Sequence, residues 1–127
     1  MNKILLAVGV ALLLIIISFF FSKPSMNRLL SSNEFITKYK SIPEAVLLDV
    51  RTPQEFYSGS ISGAINVDFE NPNFENEVQK LDHSKPYFVY CRSGNRSSGS
   101  VIVMKKNGFK DVYELQDGIV SAPELLK

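Results

Sequence analysis

Two short apolar runs, Ala45-Val46-Leu47-Leu48 and Tyr87-Phe88-Val89-Tyr90, constrain this chain more than any other feature. Neither alternates with polar residues, so each presents apolar side chains on both faces, and each is too short for a helix. Strands of that kind belong in a parallel sheet covered on both sides. The first run ends in Asp49-Val50-Arg51 and the second in Cys91-Arg92-Ser93. Those ends mark the carboxyl edge of the sheet, where open parallel α/β folds bind their ligands.

The intervening segments supply the covering helices. Ser31 with Glu34 three residues on has the form of a capping box, and Phe35, Ile36 and Tyr39 add an apolar stripe, which predicts a helix over 32–39. Thr52-Pro53-Gln54-Glu55 repeats the signature with Pro at the first helical position, and Gly59 is placed to end that helix. Ile65 to Val67 reads as a short strand. Asn73 to Leu81 reads as a helix with Phe74, Val78 and Leu81 on one face, a further helix stops at Gly108, and Asp111 to Leu115 forms a last strand. Strands alternating with helices predict an α/β fold, a small and mainly parallel sheet with helices on both faces.

The N-terminus is unlike the rest. Ile4 to Phe21 are 18 residues without a charge, which as a helix rising about 1.5 Å per residue cover about 27 Å of a roughly 30 Å hydrocarbon core. The run is longer than the apolar part of a cleaved signal peptide, and it ends in Phe19-Phe20-Phe21 where small residues would be wanted. The expectation is a signal anchor or signal peptide over 1–22, retention favoured, a linker over 23–30 containing Pro24, and one folded domain over 31–127. One short N-terminal tail and one span predict the domain on the extracytoplasmic side, held to the membrane through residues 4–21. Secretion after cleavage is the alternative. Basic residues on both sides of the run leave the orientation without a charge signal.

Charge and cysteine usage exclude several functions. Fourteen Lys and Arg against 13 Asp and Glu give a net charge of +1, so bulk charge predicts no nucleic-acid partner. A single cysteine permits neither an intramolecular disulfide nor a Cys-x-x-Cys metal or redox pair. Cys91 is then either a buried filler or a reactive thiol.

The residues around Cys91 favour reactivity. Ser93 and Gly94 are small, and Asn95 accepts positive φ, so the backbone of 92–96 is expected to curl with its N–H groups pointing inward as an anion nest. The helix that follows adds free amides and the positive end of its dipole. Arg96 brings a permanent charge to the pocket and Arg92 a second one at its rim. Together these favour the thiolate form of Cys91 and make 92–96 the expected anion-binding residues.

The loop C-R-S-G-N-R-S-S after Y-F-V-Y resembles the active-site loop of rhodanese-like sulfurtransferases. So do L-L-D-V-R-T-P-Q-E-F-Y-S-G-S-I-S-G-A-I-N-V at 47–67 and G-F-K-D-V-Y-E-L-Q-D-G-I at 108–119. The resemblance implies a rhodanese-like fold and transfer of a sulfane sulfur, from an anion such as thiosulfate to a thiol or cyanide acceptor, through a persulfide on Cys91, with no metal or organic cofactor needed. It leaves open whether a redox or sulfur-carrier protein takes part. It makes Asp49 and Arg51 a structural pair rather than catalysts, while Glu55, by its place in Thr52-Pro53-Gln54-Glu55, reads as a cap partner. His83 reads as surface. Two segments depart from the family pattern: in one, Ser60 stands where His is common, and in the other, Asp117 and Ala122 stand where a Gly and a Trp are usual, the last leaving the pocket rim open or loosely packed. Competing readings are a non-catalytic interaction module and a Cys-dependent phosphatase or arsenate reductase. The four-residue gap from Cys91 to Arg96 is short for a phosphate-wrapping loop, and no second cysteine is present to resolve an arsenate intermediate.

Overall fold

The computed structural model describes residues 2–21 and 28–127. After an N-terminal helix α1 (Asn2–Phe21), the chain runs β1 (Leu29–Leu30), α2 (Ser32–Ser41), β2 (Val46–Asp49), α3 (Pro53–Ser58), β3 (Ile65–Asn66), α4 (Phe74–Gln79), β4 (Tyr87–Tyr90), α5 (Asn95–Lys106) and β5 (Val112–Leu115). Two 3-10 turns follow, Ile119–Ser121 and Pro123–Leu125. The five strands form one sheet in the order β1-β5-β4-β2-β3, with every pair parallel. The α/β class and parallel sheet follow the sequence pattern.

The two apolar runs are the buried strands β2 and β4, paired from Val46 with Tyr87 to Asp49 with Tyr90. Successive strand side chains point to opposite faces, and that alternation divides the core. Leu48, Tyr87 and Val89 pack with Phe74, Val78, Met104 and Phe109 on the side of α4 and α5. Leu47, Phe88 and Tyr90 pack with Phe35, Leu115 and Ile119 on the side of α2 and the C-terminal turns. Helices therefore lie on both faces. On the α2 side Phe88 meets Phe35 edge-on at 5.4 Å and stacks on Tyr113 at 4.7 Å, offset geometries that aromatic quadrupoles prefer.

The caps define the helix starts. Glu34 N–H donates to Ser31 Oγ and Ser31 N–H to Glu34 Oε2, both at 3.4 Å, which closes the capping box. Thr52 Oγ accepts from Glu55 N–H at 3.3 Å and Pro53 opens α3.

Two expectations change. Leu29–Leu30, read as the end of a linker, form β1 and pair with Glu114 and Leu115 of β5 at the sheet edge. The rest of that linker, up to Asn27, lies outside the described residues. The expected membrane span is not borne out: among the described residues no helix is long and apolar enough to cross a membrane.

Candidate active site

Strands β2 and β4 end side by side, and this shared edge carries the chemistry-bearing residues. Cys91 follows the last residue of β4 and is 1% exposed. From there the chain turns through Arg92 and Ser93 to Gly94, whose φ of 106° lies in the left-handed region and whose position caps α5. The sequence assigned positive φ to Asn95; Gly94 takes it, and Asn95 is the first residue of the helix. Glycine makes that backbone inexpensive because no Cβ meets the adjoining carbonyl.

The turn aims one amide at the sulfur. Gly94 N–H donates to Cys91 Sγ at 3.0 Å, and Ser97 Oγ lies 3.5 Å from Sγ on the first turn of α5. The ring of inward amides expected over 92–96 is thus represented at the sulfur by a single backbone donor and one hydroxyl. Arg92, Ser93 and Asn95 are exposed on the rim.

Arg96 does not lie free beside the thiol. Its Nη1 and Nη2 bind the two carboxylate oxygens of Glu55 at 2.7 and 3.0 Å, and Nη1 also reaches Glu70 at 3.4 Å. Glu55, read as a cap partner, does receive the Thr52 hydroxyl at 3.2 Å, but its main partner is this guanidinium 41 residues away. The fork-on-fork pair holds the Glu55 carboxyl down at about 2, through the Arg96 hydrogen bonds first and then its charge and Thr52. The Arg96 guanidinium is held more basic still by the same bonds, and the Cys91 sulfur is a further electrostatic neighbour.

Asp49 and Arg51 form a buried pair beneath the loop. Arg51 Nε sits 3.0 Å from both carboxylate oxygens and Nη2 sits 2.6 Å from Oδ2, while the second hydrogen bond of Nη2 goes to Gly59 O at 2.7 Å. Asn66 Nδ2 donates to the carbonyls of both residues, at 3.0 and 2.8 Å. These contacts tie β2 to α3 and β3, and Arg51 also lines the cavity that opens beside the loop.

The loop is also held from the C-terminal side, a feature the sequence reading missed. Ile119 N–H donates to Cys91 O at 2.9 Å and Val120 N–H to Arg92 O at 3.0 Å. Gly118, at φ 66°, lets the two backbones come this close: a Cβ there would stand 2.4 Å from Arg92 O and 2.5 Å from Ser93 N. The glycine in the stretch after β5 was the available signal. A cavity of about 440 Å³ opens next to the loop, lined by Gln54, Glu55, Gly59, Arg92, Val120 and Leu126 among others. Ala122 is fully buried, so the rim is formed by its neighbours rather than by a gap at that position. His83 packs on Phe109 with ring centroids 4.2 Å apart, away from this edge.

Comparison with known proteins bears on this geometry. The family model for the rhodanese-like domain matches residues 32–122. The chain belongs to the rhodanese-like domain family. Among similar proteins, YqhL of Bacillus subtilis is 30% identical over 117 residues, covering 92% of this chain and 89% of its own length. A tRNA uridine(34) hydroxylase of Legionella pneumophila is 36% identical over 62% of the chain, which spans 33% of that protein's length. A protein named thiosulfate sulfurtransferase GlpE, from Pseudomonas syringae, is 33% identical over 65% of the chain and 86% of its own length. A rhodanese-related protein of Thermoplasma volcanium superposes with a TM-score of 0.66 at 29% identity, over 76% of this chain and 91% of that one. These matches fix the rhodanese-like fold and family.

Proposed function

We propose that this rhodanese-like chain is a sulfurtransferase that carries a sulfane sulfur on Cys91, from an anionic donor such as thiosulfate to a thiol or cyanide acceptor. One observation carries the reading. The Cys91 sulfur sits at the carboxyl end of a buried parallel strand with the Gly94 amide aimed at it from 3.0 Å, a placement that favours a negatively charged sulfur. In the first half-reaction the thiolate attacks the outer sulfur of thiosulfate, the S–S bond of the donor breaks, and sulfite leaves with the bonding pair. In the second, the acceptor attacks the outer sulfur of the persulfide and Cys91 leaves as thiolate. The Gly94 amide stabilises the anionic sulfur in both states. Arg92 at the cavity mouth supplies charge for the incoming anion.

Mass spectrometry after incubation with thiosulfate tests this. Wild type is expected to gain one sulfur atom that cyanide removes, and Cys91→Ala is expected to gain none. If the two proteins behave alike, the reading is wrong.

A second reading has a specific observation behind it. The burial of Cys91 and the capture of Arg96 by Glu55 suit a binding module that does not turn over. Retention of cellular function by Cys91→Ser would favour it. We also propose an extracytoplasmic placement, with residues 4–21 keeping the chain at a membrane or acting as a cleaved leader. In support, the apolar side chains of α1 are exposed, Ile4 by 77%, and the run lacks charge. A reporter fused after Lys127 and active only outside the cytoplasm tests it; activity confined to the cytoplasm would overturn it.

A further inference from the structure

The cavity beside the Cys91 loop is larger than thiosulfate or cyanide requires. Its volume of about 440 Å³ equals that of about fifteen waters at about 30 Å³ each, and it falls within the roughly 300–1,000 Å³ of pockets that take organic ligands. Its walls differ in kind. Val120, Pro123 and Leu126 line one side; Val120 is 55% exposed, and none of the three side chains carries a polar atom. Three charged residues also stand on the lining, Arg51, Glu55 and Arg92. Arg51 is paired with Asp49, and Glu55 with Arg96. Arg92 makes no ion pair among the described residues and is exposed on the rim. A ligand that matches this lining has an apolar body for the C-terminal turns and a negative charge for Arg92.

We propose that the sulfur acceptor is an organic thiol with an apolar chain and a terminal carboxylate, the chain seated on Val120, Pro123 and Leu126 and the carboxylate held at Arg92; this rests on the sulfurtransferase reading and names its acceptor. Those four residues then determine specificity. Cys91 is 1% exposed and lies outside the lining, so the atom under attack is the outer sulfur of the persulfide, one S–S bond of about 2 Å beyond Sγ. The acceptor thiolate attacks that sulfur and the Cys91 S–S bond breaks. Its electron pair stays on Cys91 Sγ, and the acceptor leaves as a persulfide anion. No external oxidant or reductant is consumed. Arg92 follows Cys91 in the loop but reaches the rim, and a chain of several methylenes bridges a carboxylate held there and a thiol at the persulfide. Burial supplies most of the fit: each methylene fully removed from water improves binding by up to about fourfold, and an exposed ion pair at Arg92 adds about threefold.

Discharge of the thiosulfate-loaded full chain by a graded set of thiols tests this, with loss of the extra sulfur followed by intact mass. The thiols of the set are alike in acidity, so differences in rate report fit. Mercaptohexanoate is expected to discharge wild type about tenfold faster than mercaptopropionate at equal subsaturating concentration, from about twofold for each partly buried methylene. Mercaptohexanol, equal in length and uncharged, is expected to be about threefold slower than mercaptohexanoate. Val120→Asp is expected to erase the chain-length preference, and Arg92→Gln the preference for the carboxylate. Each preference is a ratio within one protein, so a general effect of the substitution on the Cys91 loop cancels. If Val120→Asp fails to fold, Leu126→Asn is expected to erase the same preference.

Equal rates for the short and long acids in wild type, or an unchanged chain-length preference in Val120→Asp, overturns the proposal. Should thiosulfate leave no sulfur on Cys91, the sulfurtransferase reading fails by itself, and the unreactive thioether methylthiohexanoate decides the cavity. Saturable shifts of the Val120 and Leu126 amide resonances would support this class of occupant, and their absence would overturn it.

Discussion

Replacing Glu55 with Gln removes the carboxylate that captures Arg96 while keeping the side-chain volume. In the folded protein this carboxyl is held down at about 2 from an ordinary 4.5. Each pH unit of such a shift corresponds to about 1.4 kcal/mol, so the full effect has a ceiling of about 3.4 kcal/mol. The Glu55 and Arg96 side chains are 30% and 20% exposed, and solvent screening brings the expected contribution to about 1 kcal/mol. A depressed carboxyl stabilises the fold fully above its unfolded value, and the benefit disappears as pH falls from about 4.5 to about 2. Urea unfolding of wild type and Glu55→Gln at several pH values reads this out. At pH 7 the variant is expected to be less stable by about 1 kcal/mol, and the two proteins should converge near pH 2. A gap that stays constant from pH 7 to pH 2 would refute the reasoning, since the loss would then come from packing or the Thr52 contact rather than from ionisation.

Gly118→Ala places a Cβ against the Arg92 and Ser93 backbone at a φ of 66°, and the left-handed strain plus overpacking should cost about 2 to 5 kcal/mol in urea unfolding; a loss under 1 kcal/mol would contradict the close approach. The neighbouring Asp117 is the one non-glycine residue with positive φ among the described residues, at 60°. Asp117→Gly should relieve that strain, offset in part by the entropy of an unfolded glycine, and raise stability by up to about 1 kcal/mol; a lower Tm would count against it.

What the sequence made legible follows from how local each signal is. β2 and β4 were readable because four consecutive apolar residues admit few other buried structures, and the Ser31 cap because both partners lie within one turn. Cys91 was readable as the residue where a buried strand gives way to small and polar ones. β1 was not, because two residues carry no periodicity and Leu29–Leu30 become a strand only by pairing with β5. Nor was the Arg96–Glu55 pair, since the fold alone brings residues 41 apart together. The buried Glu114, whose Oε1 accepts from Ser97 Oγ at 2.9 Å and Ser98 Oγ at 2.8 Å, was legible in part: a carboxylate in an otherwise apolar strand needs a polar partner, and the serines of C-R-S-G-N-R-S-S were the available donors. Gly94 taking the positive φ in place of Asn95 reflects the lower cost of that backbone for a residue without Cβ.

The two departures from the family pattern meet on the same side of the cavity. Ser60 pairs through its backbone with Lys127, in both directions at 3.3 and 3.0 Å, and Ile61 bridges to Leu126. That pairing draws the C-terminal segment across the sheet edge, where Val120, Pro123 and Leu126 line the cavity opposite Glu55 and Arg92. Ala122 sits beneath them, fully buried, its N–H on Ile119 O at 3.0 Å. The cavity therefore has a charged wall from α3 and the loop, and an apolar wall from the C-terminal turns. The Ile119 and Val120 amides that shape the apolar wall also hold the carbonyls of Cys91 and Arg92. A substitution at Ile119 or Val120 in that wall is therefore expected to disturb the backbone of the Cys91 loop as well, because the same two residues hold its carbonyls.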